Sequence, residues 1–288
     1  MKIALYSRKG GPVEQQFVLN VINYLLQEHF EVLVHSNCAR TGVCCEPFSS
    51  YDDLKSVDGV DFMVSVGGDG SFIDAANLVA DLPIPIVGIN TGRIGFLSAI
   101  KKDEFKSCFQ MLVNKQYTLE KRFLLHLDSS QSVGLDRTFA INDVTIRTTN
   151  TDTINSIKVL ADNQPVNTYW GDGLIVATPT GSTAYSMSCG GPILHPQSDA
   201  LVLTPIAPHS LNVRPLVIPA DAPLTIEVSS RNNQYALCLD TQRVVVSTQV
   251  QLHIRKESFC IQTVHFQNND FYDVIREKLL WGIDRRNG

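Results

Sequence analysis

Over its first 117 residues the chain alternates short apolar runs with segments of helical period, and this alternation restricts the fold more than any other feature. Residues 2–6 (KIALY), 31–35 (EVLVH), 62–66 (FMVSV) and 84–87 (IPIV) read as buried strands. Between the first two, Val13, Phe17, Val21, Tyr24 and Leu25 recur at the spacing of one helical face. A second helical pattern runs from Ser71 to Ala80. A third covers Asp103 to Asn114, with Phe105, Cys108, Phe109 and Leu112 on one side. Strands alternating with helices demand a parallel sheet with crossover helices. The spacing therefore predicts an α/β domain over 1–117 with a Rossmann-like parallel sheet.

The texture changes after residue 117. Short β-rich runs follow at 123–128, 139–147, 155–161, 174–177, 202–206, 223–228, 235–239, 243–254 and 259–265, separated by turn residues, with a hairpin turn predicted at Asp162-Asn163. A mostly-β domain over 118–266 is expected. It is interrupted at 182–189 (STAYSMSC), where Ser182 reads as a helix cap. A last helix is predicted over 270–281, with Phe271, Val274, Ile275 and Leu279 on one stripe and Gly282 as its stop. The segment 267–288 is expected to return to the first domain.

Composition matters for what it excludes. Twenty-four basic against twenty-nine acidic side chains give a net charge of −5, which argues against nucleic-acid binding by bulk charge. No apolar run approaches the ~20 residues that span a bilayer, and the start, MKIALYSRKGG, turns polar too soon for a signal peptide. Seven cysteines without a CxxC pair fit a reducing compartment. The expectation is a soluble cytoplasmic protein with neither a membrane nor a nucleic-acid partner.

Three clusters carry chemistry. Gly67-Gly68-Asp69-Gly70-Ser71 follows a buried strand and precedes a helix, so it sits at the carboxyl end of a parallel strand, where ligands bind. Its glycines free the backbone to approach a ligand, and the N–H groups of the following helix attract phosphate. An aspartate there would repel phosphate unless a metal or a hydroxyl to be deprotonated stands beside it. The bland alternative is a tight Asp-Gly turn. The second cluster, Gly88 to Leu97, reads by itself as a plain turn with a buried Phe96. The third is the longest: Gly171-Asp172-Gly173, a strand to Ala177, then Thr178-Pro179-Thr180-Gly181-Ser182-Thr183-Ala184-Tyr185-Ser186. Its dense hydroxyls suit riboses, amides and phosphate oxygens.

In this order and spacing the chain resembles the NAD kinases, which phosphorylate the adenosine ribose 2′-hydroxyl of NAD to make NADP. The resemblance runs from residue 60 to the end: GGDG at 67–70, NTGRIGFL at 90–97, IND at 141–143, DGLIVATPTGSTAYSMSCGGPILHP at 172–196 and TPIAPHSL at 204–211. TPTGSTAY is specific. GGDG is shared with phosphofructokinases and lipid kinases.

The resemblance implies that Asp69 is the general base for the 2′-hydroxyl, and that Gly67, Gly68 and Gly70 bring backbone donors to phosphates. It further implies that Phe96 lines the adenine pocket. Gly70, Asn142, Asp143, Asp172, Thr183, Ala184, Tyr185, Ser186, Met187, Ser188, Ala207 and Gln242 are the expected dinucleotide contacts. ATP is the implied donor, with a divalent cation, Mg²⁺, carried on it rather than held by a protein ligand set. A homodimer or homotetramer is implied as well.

Two departures stand out: Asp143 is one methylene shorter than the family's glutamate, and Trp170 replaces a basic residue found in some members. His195 and His209 read as structural, Arg8 and Lys9 as turn charges or phosphate contacts, and Cys44-Cys45 as loop packing. The rivals are a lipid or sugar kinase sharing GGDG and a non-catalytic dinucleotide sensor.

Overall fold

A computed structural model of the chain describes residues 1–8, 10–39, 49–92, 95–98, 100–150, 154–266 and 270–281. Lys9, Cys44-Cys45, Arg93 and Ile94 of the 90–97 motif, and the predicted stop Gly282 lie outside the described residues. The chain divides into two compact units, Met1–Lys121 with Ile261–Gly288, and Arg122–Cys260.

The first unit runs β1 (Lys2–Ser7), α1 (Pro12–Gln27), β2 (Glu31–His35), the single turn α2 (Ser36–Ala39), β3 (Ser49–Tyr51), β4 (Phe62–Val66), α3 (Asp69–Val79), β5 (Ile86–Ile89) and α4 (Phe105–Val113). Every strand pair is parallel, in the order β3-β2-β1-β4-β5. The apolar face of α1 (Val18, Val21, Ile22, Leu25) closes over Ile3, Leu5, Val32 and Val64, so the helical period and the strand runs meet in one core. Pro12 opens α1 where its missing N–H costs nothing.

The second unit is antiparallel. It comprises β6 (Thr118–Ser129, which begins in the first unit), β7 (Phe139–Ala140), β8 (Asp143–Arg147), β9 (Asn155–Ala161), β10 (Gln164–Ala177), the one-turn α5 (Tyr185–Ser188), β11 (Ala200–Pro208), β12 (Leu216–Pro219), β13 (Leu224–Ser230), β14 (Gln234–Leu239), β15 (Gln242–Ser247) and β16 (Leu252–His265). Strands β14, β8, β10, β9 and β13 are successive neighbours, and β10 also pairs with β11. The core includes Leu125, Val144, Ile146, Ile157, Leu174, Val176, Leu201, Leu203, Tyr235 and Leu237. Asp162 and Asn163 both have positive φ, 48° and 61°, as a tight two-residue hairpin requires.

The end of β16 rejoins the first sheet, Thr263 pairing in parallel with Ile86, and α6 (Phe271–Leu279) completes that unit. Val274 and Ile275 are buried on it, and Leu280 in the left-handed region ends it. The expectation of an α/β first domain, a mostly-β second and a returning terminal helix matches this architecture.

Details differ. The predicted 139–147 strand is broken at Ile141-Asn142, and 243–254 is two strands split by a turn. Ser182 caps no helix: the residue before α5 is Ala184, without a side-chain cap. Ser182 instead sits in a 3₁₀ turn, Gly181–Thr183, its hydroxyl donating to Pro179 O at 2.6 Å and accepting the Leu194 N–H at 2.9 Å.

Candidate active site

In the first unit, β4 hands over to α3 through Gly67 and Gly68. Gly67 has a φ of 150°, and a β-carbon there would lie 2.2 Å from Ser71 Oγ, so both conformation and space demand glycine. Gly68 differs. Its backbone is extended and the space a β-carbon would fill is open, so the protein itself places no demand for glycine at this position.

Asp69, the first residue of α3, turns its carboxylate onto the loop after β5. The Phe96 N–H donates to Oδ2 at 3.0 Å, and the Leu97 and Ser98 N–H groups donate to Oδ1 at 3.0 and 3.2 Å. Gly95 makes this approach possible, since a β-carbon there would fall 1.8 Å from Oδ1. Lys278 from α6 completes the surroundings, with Nζ 3.8 Å from Asp69 Oδ2 and 4.2 Å from the centre of the Phe96 ring. The Asp69 side chain keeps 32% of its surface exposed. The first two glycine clusters are thus one structure built around one carboxylate. Lys278 carries no signal in the sequence beyond being a base in the last turn of an amphipathic helix.

In the second unit a different carboxylate organises the IND segment. Asp240, at φ 48°, accepts the Ile141 N–H on Oδ2 at 2.8 Å and the Asn142 and Asp143 N–H groups on Oδ1 at 2.8 and 3.2 Å. Sequence reasoning chose Gln242 from this turn and passed over Asp240. Gln242 is engaged elsewhere: its Oε1 accepts the N–H of Asp136, 106 residues earlier in the chain, at 2.8 Å.

The segment held by Asp240 presents two unusual groups. Asn142 Oδ1 is buried with no hydrogen-bond partner among the described residues, which costs about 1–3 kcal/mol unless a donor meets it. The Asp143 carboxyl is buried, and desolvation pushes it up to about 7. The Thr145 hydroxyl, donating at 2.7 Å, opposes the rise, and the charge of Asp240 adds to it.

The hydroxyl-rich run packs beside this segment. The Thr178 hydroxyl donates to Ile141 O at 2.6 Å, and a β-carbon on Gly181 would lie 2.0 Å from Asn142 O. The Thr183 hydroxyl donates to Thr180 O, and the Ser186 and Thr204 hydroxyls meet at 2.7 Å. These hydroxyls, read from sequence as ligand contacts, hold the loop together in the free chain. Ala184, Tyr185, Met187 and Ser188 follow. Tyr185 packs on Ile175, Ala177, Val202 and Ile206, with the Arg147 guanidinium 5.6 Å from its ring centre.

Asp172 and Ala207 are exposed on β10 and β11, the latter at φ 42°. Trp170 is exposed too, its carbonyl accepting the His209 N–H. The His195 ring accepts the Gln197 N–H within a local turn, as a structural histidine does. Among the described residues no group of three or more His, Cys, Asp or Glu side chains could hold a metal ion.

Comparison with known proteins follows the same division. Residues 15–117 match the ATP-NAD kinase N-terminal domain, and 141–266 match the ATP-NAD kinase C-terminal domain. The chain is 38% identical over 296 residues to an NAD kinase of Flavobacterium psychrophilum and 35% identical over 292 residues to one of Cytophaga hutchinsonii, each alignment covering the whole of both chains. It is 40% identical over 237 residues to an NAD kinase of Bacteroides fragilis, covering 82% of each. Its fold is similar to that of yeast NADH kinase complexed with NADH (TM-score 0.87, 24% identity, 100% of this chain and 90% of that one). It is also similar to an NAD kinase from Archaeoglobus fulgidus in complex with ATP (TM-score 0.75, 24% identity, 96% and 99%).

Proposed function

The chain belongs to the NAD kinase family, and from that premise we propose how its residues divide the work of the reaction. The reaction is transfer of the γ-phosphoryl group of ATP to the adenosine 2′-hydroxyl of NAD, giving NADP and ADP. Asp69 is the general base that receives the 2′-hydroxyl proton. The observation that carries this reading is the fixed and partly open carboxylate: three backbone donors set its plane, and Oδ2 has a lone pair left to accept a proton.

Phe96, on the loop that Asp69 holds, lines the adenine pocket, and the open space over Gly68 lets phosphate oxygens reach the Gly67–Gly70 backbone. Asn142, with its orphaned Oδ1, accepts from an amine or amide of the dinucleotide. Asp143, Asp172, Thr183, Ala184, Tyr185, Ser186, Met187, Ser188, Ala207 and Gln242 form the remaining dinucleotide contacts. A divalent cation, Mg²⁺, would ride on the ATP phosphates and neutralise charge there.

The reading extends to a homo-oligomer, supported by exposed Leu216 and Val217 on β12, which pairs only with β11 among the described residues. It also extends to a cytoplasmic role in NADP supply. No helix among the described residues is long and apolar enough to cross a membrane.

Phosphorus NMR of the protein with ATP, Mg²⁺ and NAD tests the assignment. Phosphate is expected only at the adenosine 2′ position. A 2′-deoxy analogue of NAD is expected to bind without reacting, and any other phosphorylated product refutes the reading.

A further inference from the structure

Arg8 stands at the carboxyl end of β1. Ser7, just before it, pairs with Val66 at the end of β4, which sets Arg8 beside the Gly67–Gly70 loop. The side chain is not a loosely solvated turn charge. Its Nε and Nη2 donate to the two carboxylate oxygens of Asp74 at 2.5 and 2.9 Å, and Asp74 also accepts from the Tyr6 hydroxyl at 2.8 Å. This fork occupies one edge of the guanidinium. Nη1 lies outside it, above the start of α3, where a β-carbon on residue 70 would come within 2.6 Å. The Arg8 side chain keeps 46% of its surface exposed.

We propose that Arg8 is a phosphate-binding residue of the ATP site: its outer edge takes an oxygen of the triphosphate while Asp74 and Tyr6 fix its orientation. The inference rests on reading the Gly67–Gly70 loop as the place of phosphoryl transfer. Its direction comes from the sheet order. Strand β4 lies between β1 and β5, and Asp69 turns towards the loop after β5, with Phe96. The acceptor hydroxyl therefore belongs on the β5 side. Phosphoryl transfer sets attacking and leaving oxygens in line, so the donor phosphates approach from the opposite side, where Arg8 waits. A planar, permanently charged fork held on one edge keeps its other N–H groups aimed outward, which a lysine at this position cannot do. The same arrangement gives Gly70 its reason, because a side chain there would crowd Nη1.

The test uses the full-length protein, with MgATP and NAD binding measured separately by calorimetry beside steady-state kinetics and thermal unfolding. Arg8→Ala is expected to weaken ATP binding and raise its KM by ~10- to 100-fold, the worth of one charge-assisted hydrogen bond, with NAD affinity unchanged. Arg8→Lys keeps the charge but not the fork and should fall between. Asp74→Asn, which loosens the guanidinium, should weaken ATP binding less than Arg8→Ala.

A folded Arg8→Ala protein that binds ATP as the parent does, or that loses NAD instead, overturns the proposal. If Arg8→Ala does not fold, parental ATP affinity in both Arg8→Lys and Asp74→Asn does so. Failure of the parent to make NADP would instead refute the reading of the loop.

Discussion

Replacing Asp69 by asparagine separates the loop contacts that its carboxylate makes from the base role proposed for it. Both its oxygens accept backbone donors, Leu97 and Ser98 on Oδ1 and Phe96 on Oδ2, and Lys278 faces Oδ2. An amide can serve one side only. With its oxygen at the Oδ1 position it keeps two bonds, but its NH₂ then confronts the Phe96 N–H and the lysine. The loss is about one charge-assisted hydrogen bond, ~1.5–3 kcal/mol, which loosens residues 96–98 and lowers NAD affinity by roughly 10- to 100-fold if Phe96 lines the pocket.

Removal of a general base costs a further ~100- to 10,000-fold in rate, or about 3–5 kcal/mol of barrier. The two effects part at saturation. The loop effect vanishes when enough NAD is supplied, whereas the base effect remains in kcat. Single-turnover measurements on Asp69→Asn at saturating NAD and ATP, alongside thermal unfolding, therefore decide the matter. A kcat reduced at least ~100-fold at saturation is expected. Recovery of near-parental turnover at high NAD would refute the base assignment and leave Asp69 as the organiser of its loop.

Two other perturbations follow from the same geometry. Gly95→Ala places a β-carbon 1.8 Å from Asp69 Oδ1 and must evict the carboxylate, so kcat should fall as in Asp69→Asn although the acid itself is intact; unaltered turnover would show that the carboxylate's position does not matter. Asp143, held at about 7 when folded against its ordinary 3.8, binds its proton more tightly in the folded state, so its contribution is complete below pH 3.8, declines as pH rises to 7 and is level above. The loss amounts to about 4 kcal/mol. Asp143→Asn should therefore raise stability at pH 8, leave it nearly unchanged at pH 3.5 and flatten the slope between, as read by denaturant unfolding across pH; an unaltered slope would mean that folding does not raise the Asp143 pKa.

Much of the fold is visible in the sequence where burial alone decides. Strands β2, β4 and β9 fall on the residues their apolar runs indicate, because each run is bounded by turn formers and buried in a ladder. Strand β10 shows the limit. Only 174–177 reads as strand, yet pairing with β9 and β11 extends it back to Gln164 through Pro165, Asn167, Gly171 and Gly173. Those residues disfavour strands locally, and cross-strand pairing overrides them. Strand β5 lies two residues beyond its predicted run, and a β-carbon on Gly88 within it would come 3.0 Å from both the Phe72 ring and the Ser98 backbone. Strand β3 is too short to register, and β12, though as long as β5, is mostly exposed and ends in a proline, so no buried apolar run marks it. In the site, Asp69 is legible because glycines frame it. Lys278 and Asp240 are not, because each acts on a segment that only folding brings near; Asp240 reaches Ile141 across 99 residues of sequence.

The two units use one device for different ends. In each, an aspartate accepts the N–H groups of three consecutive residues, 96–98 for Asp69 and 141–143 for Asp240, and so converts a loop into a fixed surface. What else such a carboxylate can do depends on what can reach it. Burial pushes the Asp240 carboxyl up despite its three donors, so it is confined to holding Asn142 and Asp143 in place. Asp69 keeps a third of its surface open beside a lysine and an aromatic ring, so an incoming hydroxyl can reach Oδ2 without displacing a backbone donor. Exposure, then, separates the carboxylate that an incoming group can reach from the one that only holds its loop. That separation is a property of packing, which is why the GGDG motif could be read from the chain while its counterpart at Asp240 could not.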